Sequence, residues 1–162
     1  MEDAVDAGKI RSIGISNFDE KQTAALLRDA RIKPTVNQIE CHPYYQQNSL
    51  RQYLHENGIL VGAWYPLGHG DRKLLQDPVL RDLAEKYRKS PAQIILRWHI
   101  QTGNIVVPKS TKEHHLQDNR EIFDFMMTDE DMARIAKLDK NISYFTTPLW
   151  LDELMARVFL RL

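Results

Sequence analysis

Residues 35–71, TVNQIECHPYYQQNSLRQYLHENGILVGAWYPLGHGD, contain two short runs with β-branched residues and a helical segment between them. Turn-forming residues bound both runs, which predicts strands over Thr35–Glu40 and Ile59–Tyr65. Apolar residues recur at helical spacing in Gln47–Glu56, and Asn57-Gly58 ends that helix. A strand, a helix and a second strand form a βαβ unit, which requires parallel strands and a right-handed crossover. The polar residues that end the two strands therefore lie at the same edge of the sheet.

Two further strands are predicted outside this unit, over Arg11–Ser16 and Asn104–Val107. With the intervening helical patterns, the predicted order is β-α-β-α-β-α-α-β-α-α, which is typical of a parallel α/β fold. A (β/α)8 barrel of the TIM type has eight strands in about 250 residues, so four strands correspond to half of such a barrel. A small doubly wound sheet is the structural alternative, although the sequence contains neither a G-x-G-x-x-G fingerprint nor a P-loop. In both folds, ligands bind at the carboxyl ends of the strands.

The helices are predicted from their capping residues and apolar faces. Asp19 with Gln22 and Ser90 with Gln93 form capping boxes, and Thr128 caps a later helix. The helix after Asp19 is expected to bury Ala24, Leu27 and Ala30. Because the chain begins within a predicted helix that Gly8 closes, we expect further sequence before Met1.

Composition limits the kinds of partner and the location. The 162 residues form one predicted unit, 1–162, whose amphipathic tail, 149–162, is expected to pack on the protein. Lys plus Arg and Asp plus Glu number 22 each, which favours neither a nucleic acid nor a membrane as partner. The single cysteine, Cys41, excludes an internal disulfide and fits the cytoplasm. Its neighbours Glu40 and His42 point the other way from the strand end, so a structural thiol is favoured over a nucleophile.

Four strand ends carry amides, hydroxyls, a large aromatic ring and a lysine. Such groups suit a nicotinamide dinucleotide. Amide side chains can form hydrogen bonds with the carboxamide, an aromatic face can stack on the flat ring, and a lysine can bind an anionic phosphate. Each also has an ordinary explanation as a turn, a core residue or a solvated charge. For the histidine at the second strand end, a role in holding the loop is favoured over acid–base chemistry, and no histidine has zinc-site spacing. The groups concerned are Ser16-Asn17, Gln38 with Glu40 and His42, Trp64-Tyr65, and Lys109-Ser110.

Three of these strand ends lie in motifs that resemble the aldo-keto reductases. GKIRSIGISNF at residues 8–18 is similar to the family's G-K-I-R-x-I-G-V-S-N-F, NQIECHPY at 37–44 to N-Q-I-E-x-H-P-Y, and VPKS at 107–110 to I-P-K-S. The resemblance, which includes bacterial 2,5-diketo-gluconate reductase-like members, covers the chain to about Leu138. It implies the carboxyl-terminal four βα units of a (β/α)8 barrel that reduces aldehydes or ketones with NADPH, without metal or flavin.

By this resemblance, particular residues contact the cofactor. Ser16, Asn17 and Gln38 hold the carboxamide, Trp64 stacks on the nicotinamide, and Leu67 belongs to the same site. Lys109 and Ser110 meet the adenosine 2′-phosphate, and Asn119 meets the adenine. His115 stands where the family often has arginine; a mostly neutral histidine lacks the bidentate fork, so NADH is an alternative cofactor.

The family's catalytic Asp, Tyr, Lys and His lie in the amino-terminal half, which would precede Met1. We therefore predict no catalytic residue in this chain and no activity for the isolated chain. Tyr44, Tyr45 and Tyr65 lie in other motifs and are not expected to replace the proton donor. One alternative is a natural half-barrel that binds a dinucleotide or a partner without turnover, and a weaker one is a doubly wound phosphate-binding domain.

A half-barrel has two open edges and an uncovered interior face. Val36, Ile39, Val61 or their neighbours are expected on that face. The sequence thus predicts a homodimer or association with the missing half, and a small carbonyl substrate where the barrel is complete. Alternatively, the tail from Leu149 to Leu162 covers the face of a monomer.

Overall fold

The sheet at the centre of the computed structural model, which describes residues 1–145, has four parallel strands in the order β1-β2-β3-β4. Register aligns Ser16 with Gln38, Gln38 with Gly62, and Gly62 with Ile105. The order follows the chain without reversal, so the described strands have no switch point of a doubly wound sheet. The parallel α/β fold predicted from the sequence is confirmed. The strands are β1 (Gly14–Ser16), β2 (Val36–Glu40), β3 (Leu60–Trp64) and β4 (Ile105–Val106).

Helices follow each strand, as parallel pairing requires. The predicted helix order is confirmed, but the loop expected after β3 contains a short 3-10 turn, Gly68–Gly70, and an extra one-turn helix that Asp71 caps by accepting from Lys73 N. The helices are α1 (Glu2–Asp6), α2 (Glu20–Asp29), α3 (Asn48–Glu56), α4 (Arg72–Leu75), α5 (Pro78–Tyr87), α6 (Pro91–Gln101), α7 (Glu113–Arg120) and α8 (Asp129–Ala136).

Side-chain caps fix where several helices begin. Both predicted capping boxes are present, at Asp19 in α2 and at Ser90 in α6, and Thr128 accepts from Asp131 N at the start of α8. The face of α2 differs from the prediction, because Ala24 is exposed and Thr23 is the buried residue. Two of the three residues in the predicted apolar face are alanines, which add little apolar area. The pattern was therefore too weak to predict which face of α2 is buried.

The two faces of the sheet have different environments. Asn37, Ile39, Val61 and Ala63 lie on the face that the helices cover, and all four are buried. The prediction that Ile39 and Val61 lie uncovered is therefore wrong, because side chains alternate along a strand and these two have the opposite parity. We call the other side the open face: Gly14, Ser16, Val36, Gln38, Leu60, Gly62, Ile105 and Val107.

The core lies between the covered face and the surrounding helices, with buried side chains from α3, α5, α6 and α8. Trp98 and His99 of α6 are among its largest fully buried side chains. His99 Nε2 lies 3.2 Å from the Pro66 carbonyl, and its Nδ1 lies 3.1 Å from Asn104 Nδ2. One buried histidine thus joins the loop after β3 to the start of β4. The predicted packing of residues 149–162 lies outside the described residues.

Candidate functional site

Three residues expected to read a carboxamide lie together at the ends of β1 and β2. Ser16 Oγ donates to the Gln38 carbonyl at 3.0 Å, and Asn17 N donates to the same oxygen at 2.9 Å. Asn17 has φ of 59°, a left-handed conformation that asparagine tolerates better than most residues. The chain turns sharply here, and the Asn17 side chain lies at the rim of the sheet. The Gln38 amide group lies on the open face and is exposed.

Trp64 joins this group from β3. Its Nε1 donates to Asn17 Oδ1 at 2.8 Å, so the indole reaches from the end of β3 past β2 to the turn after β1. Asn17 and Trp64 line a cleft of about 480 Å³ at the rim, together with Phe18, Tyr45 and Phe145. Ser16 and Gln38 line a second, wider cleft of about 610 Å³ on the open face. The four residues predicted to bind the nicotinamide end therefore line two neighbouring clefts, two residues in each.

A buried carboxylate, Glu40, lies at the end of β2, in register with Trp64 of β3. Glu40 is only 4% exposed and accepts hydrogen bonds from Ser143 Oγ and, at 2.9 Å, from Tyr144 N. His42 Nε2 lies 3.2 Å from the same carboxylate. Burial lowers the pKa of His42, although the hydrogen bond to Glu40 opposes that shift. A fully buried, neutral histidine fits the predicted loop-holding role.

Residues 143–145 also contribute to this site, although no sequence pattern predicted them. Phe145 stacks on Tyr65 with ring centroids 5.2 Å apart and contacts Trp64 edge-on at 5.1 Å. Tyr144 donates to Asp71 at 2.6 Å, which lowers the pKa of that carboxyl. Two consecutive aromatic residues were the sole signal, because the contacts span about 80 to 100 residues along the chain.

The residues expected at the adenosine end lie in the loop after β4 and on α7, apart from the carboxamide group. Lys109 is exposed, and Ser110 Oγ accepts from Lys112 N at 3.1 Å in the turn before α7. His115 is exposed beside His114, and Asn119 is half-buried in the same helix. Within residues 1–145, no side-chain hydrogen bond joins this group to Asn17 or Trp64. Leu67 is half-buried and packs against the core beside the loop after β3.

Comparison with known proteins identifies the family. The model of the Aldo/keto reductase family matches residues 1–140. The chain belongs to the aldo-keto reductase family. It is 48% identical over 148 residues to glyoxal reductase of Bacillus subtilis, covering 91% of this chain and 52% of that protein. It is 41% identical over 157 residues to aldo-keto reductase family 1 member A1 of Gallus gallus, covering 92% of this chain and 48% of the relative.

Solved aldo-keto reductases match the structure as well. The Bombyx mori aldo-keto reductase in complex with NADP superposes with a TM-score of 0.87 at 38% identity, covering 94% of this chain and 52% of that one. An aldo/keto reductase from Brucella melitensis gives a TM-score of 0.80 at 46% identity, over 85% and 52% of the two chains. The chain thus spans about half the length of the relatives it matches.

The chemistry of the candidate site can be compared with that of an NADP cofactor. Ser16, Asn17 and Gln38 supply hydroxyl and amide groups, Trp64 supplies a flat face, and exposed Lys109 supplies a cation for a phosphate. These donors fit the cofactor at both ends. No group of three or more metal-ligating side chains occurs among residues 1–145. No helix in that same range is both long and apolar enough to cross a membrane.

Cys41 lies apart from the chemistry of the candidate site. The thiol is fully buried, donates to the Gln46 carbonyl at 3.6 Å and lies 3.8 Å from Asn104 Nδ2. Burial raises its pKa to about 12, so the thiolate needed by a nucleophile is scarce at neutral pH. The preference for a structural thiol agrees with this environment.

Proposed function

We propose that this chain forms the nicotinamide dinucleotide site of a reductase that converts aldehydes and ketones to alcohols with NAD(P)H. The observation that carries the proposal is the hydrogen-bonded group of Ser16, Asn17, Gln38 and Trp64 at one rim of a parallel sheet. Family membership supports the same chemistry. The substrate is a small carbonyl compound, bound where the barrel is complete.

Each part of the cofactor has a proposed partner in the chain. Gln38 and Asn17 pair with the carboxamide, Ser16 adds a hydroxyl, and Trp64 presents its ring to the nicotinamide. When bound, the reduced cofactor supplies the hydride for the carbonyl carbon. The protein residues hold the ring in one orientation and cover it from water, which is the contribution expected of protein around a redox cofactor.

The adenosine end decides between NADPH and NADH. Lys109 and Ser110 would meet a 2′-phosphate, Asn119 the adenine and Leu67 the neighbouring stretch of cofactor. His115 lies on the exposed side of α7 and offers at most two ring nitrogens. NADPH is therefore the proposed cofactor, with weaker discrimination against NADH than an arginine would provide.

We further propose that the proton-transfer residues are not in this chain. A tyrosine that donates a proton near pH 7 needs a pKa lowered toward neutrality. The pKa of Tyr44 is raised to about 12, first by burial and then by its hydrogen bond to Asp77. Burial also raises the pKa of Tyr45 and of Tyr144. These environments support a binding role for the chain, with catalysis requiring the remainder of a barrel.

Ligand binding and turnover test these proposals separately. We expect NADPH to quench part of the tryptophan fluorescence of the 162-residue chain and Trp64→Ala to weaken binding. Steady aldehyde reduction should be absent, and a rate of roughly 1 per second or more would refute the assignment of catalysis elsewhere. Binding without turnover also fits the alternative of a non-catalytic dinucleotide-binding module. Activity restored by an amino-terminal half supplied in trans would favour the reductase.

The proposed partner for the open face is a second copy of the chain. That face has no charged residue, and Leu60 and Val107 on it are 53% and 69% exposed. Within residues 1–145, β1 and β4 are the edges of the parallel sheet. A twofold axis along the strands therefore sets β4 of one copy beside β1 of the other. Four strands from each copy would then close an eight-stranded barrel.

Sedimentation of the chain tests the dimer. We expect a species at twice 18.9 kDa at micromolar concentration and its dissociation by Leu60→Lys. Phe123→Lys, at an exposed phenylalanine off the open face, is the matched control. A folded species at 18.9 kDa would refute the dimer and favour a monomer or a complex with an amino-terminal half. We also propose that the protein is located in the cytosol, because its single cysteine forms no disulfide.

A further inference from the structure

Residues 143–145 form a strap that joins two strand ends. Ser143 and the backbone of Tyr144 donate to the Glu40 carboxylate at the end of β2. The Tyr144 hydroxyl donates to Asp71 in the loop after β3, at 2.6 Å. Hydrogen bonds to carboxylates are stronger than neutral ones, and Glu40 is buried. Two carboxylates from different parts of the chain, Glu40 and Asp71, thus anchor the strap.

The strap places Phe145 against the residue proposed to stack on the nicotinamide. The Phe145 ring lies edge-on to Trp64, with centroids 5.1 Å apart and planes at 65°. It also stacks on Tyr65, with an interplanar angle of 7°. Asn17 accepts from the Trp64 indole at 2.8 Å. The indole is therefore held by a hydrogen bond to one neighbour and a ring contact to another.

We infer that Phe145 is a positioning residue for Trp64 and, through it, for the nicotinamide end of the cofactor. This inference rests on the proposed function. Trp64 is half-buried at a rim, so its two side-chain torsions are not fixed by a surrounding core. A ring contact that removes alternative orientations lowers the entropy lost when the nicotinamide binds. Edge-to-face aromatic contacts have this orienting effect because the edge of one ring attracts the face of the other.

A ligand that lacks the nicotinamide separates this role from a general effect on the fold. NADPH and 2′-phospho-ADP-ribose share the adenosine and phosphate contacts, and only NADPH reaches Trp64. We expect Phe145→Ala to weaken NADPH binding about fivefold, in the range for an aromatic pair, and to leave the fragment unchanged. Phe145→Tyr keeps the ring and should restore NADPH affinity. Phe123→Ala removes another exposed phenylalanine and serves as the control.

The strap anchor provides a second variant with a smaller effect. Tyr144→Phe removes the hydroxyl that donates to Asp71 and keeps the ring, so we expect about a twofold loss for NADPH and none for the fragment. Thermal unfolding of each variant checks that it is folded. Equal losses for both ligands, or no loss for NADPH in Phe145→Ala, would overturn the inference. If the unaltered chain binds neither ligand, the proposed function itself fails.

Discussion

Acid should destabilise this protein through His99, beginning as the pH falls below about 6.5. Both ring nitrogens of His99 are occupied in the core, where Nε2 meets the Pro66 carbonyl and Nδ1 meets Asn104 Nδ2. Burial lowers the pKa of His99 from 6.5 to about 3, and the bond to Pro66 only partly opposes this shift. The folded protein therefore keeps the ring neutral in a pH range where the unfolded chain binds a proton.

The sign and size of the effect follow from proton linkage. Because the folded pKa is below the unfolded one, the unfolded state gains protons first, and stability is lost as pH falls from about 6.5 toward 3. Each pH unit in this window removes about 1.4 kcal/mol for one histidine. Between pH 7.5 and pH 5.0, His99 should lower the free energy of unfolding by about 2 kcal/mol. Burial also lowers the pKa of His42, which adds a loss of the same sign.

His99→Gln isolates the contribution of this histidine. The glutamine amide can donate to Pro66 but does not titrate, while Asn104 loses its acceptor at a cost of about 1 to 3 kcal/mol at every pH. The free energy of unfolding is measured with urea at pH 7.5 and 5.0, at one protein concentration. Its fall between the two pH values should be about 2 kcal/mol smaller in the variant than in the unaltered chain. His55→Gln makes the same substitution at an exposed histidine and serves as the control. Equal losses in His99→Gln and the unaltered chain would refute the reasoning.

Three further outcomes test other parts of the structure. His115→Arg should tighten NADPH about tenfold more than NADH by adding a charged fork, with His114→Arg as an equally charged control; an equal gain for both cofactors would place His115 away from the 2′-phosphate. Asp131 accepts from Lys86, Tyr87 and Thr128, and these bonds outweigh burial and lower its pKa to about 2. The Asp131 carboxylate should add to the free energy of unfolding above about pH 4, and this stabilisation should be lost as the pH falls toward 2. Asp131→Ala should cost about 3 kcal/mol in urea unfolding and flatten that acid dependence, and a cost near zero would contradict this. Cys41 should react with a thiol reagent at pH 8 only as fast as the chain unfolds, and rapid stoichiometric labelling of the native protein would show an accessible thiolate.

Local features of the fold were predictable because their causes are local. A capping box needs two side chains three residues apart, and the boxes at Asp19 and Ser90 form as predicted. Parallel pairing of β2 and β3 follows from the helix between them. The extra turn of α4 was missed because Asp71 caps a helix too short to leave a periodic pattern. The exposure of Ala24 shows the same limit for a small residue.

The residues of the candidate site were predicted one by one from the strand ends and the family motifs. Sequence position alone puts Ser16, Asn17, Gln38 and Trp64 at one edge of a parallel sheet, since every strand in such a sheet points the same way. The contacts among these residues, however, do not follow from their sequence positions. The bond from Trp64 to Asn17 crosses 47 residues, and it depends on strand spacing and a left-handed turn.

Tertiary structure alone decided the support behind this site and the face of the sheet left uncovered. Strand parity placed Ile39 and Val61 toward the helices, which corrected the expected set of uncovered residues. Glu40 gains its partners from Ser143 and Tyr144, about 100 residues away, where no local pattern specifies the contact. The physical reason is that local sequence sets backbone conformation and capping, whereas long-range contacts require the packed sheet that brings distant segments together.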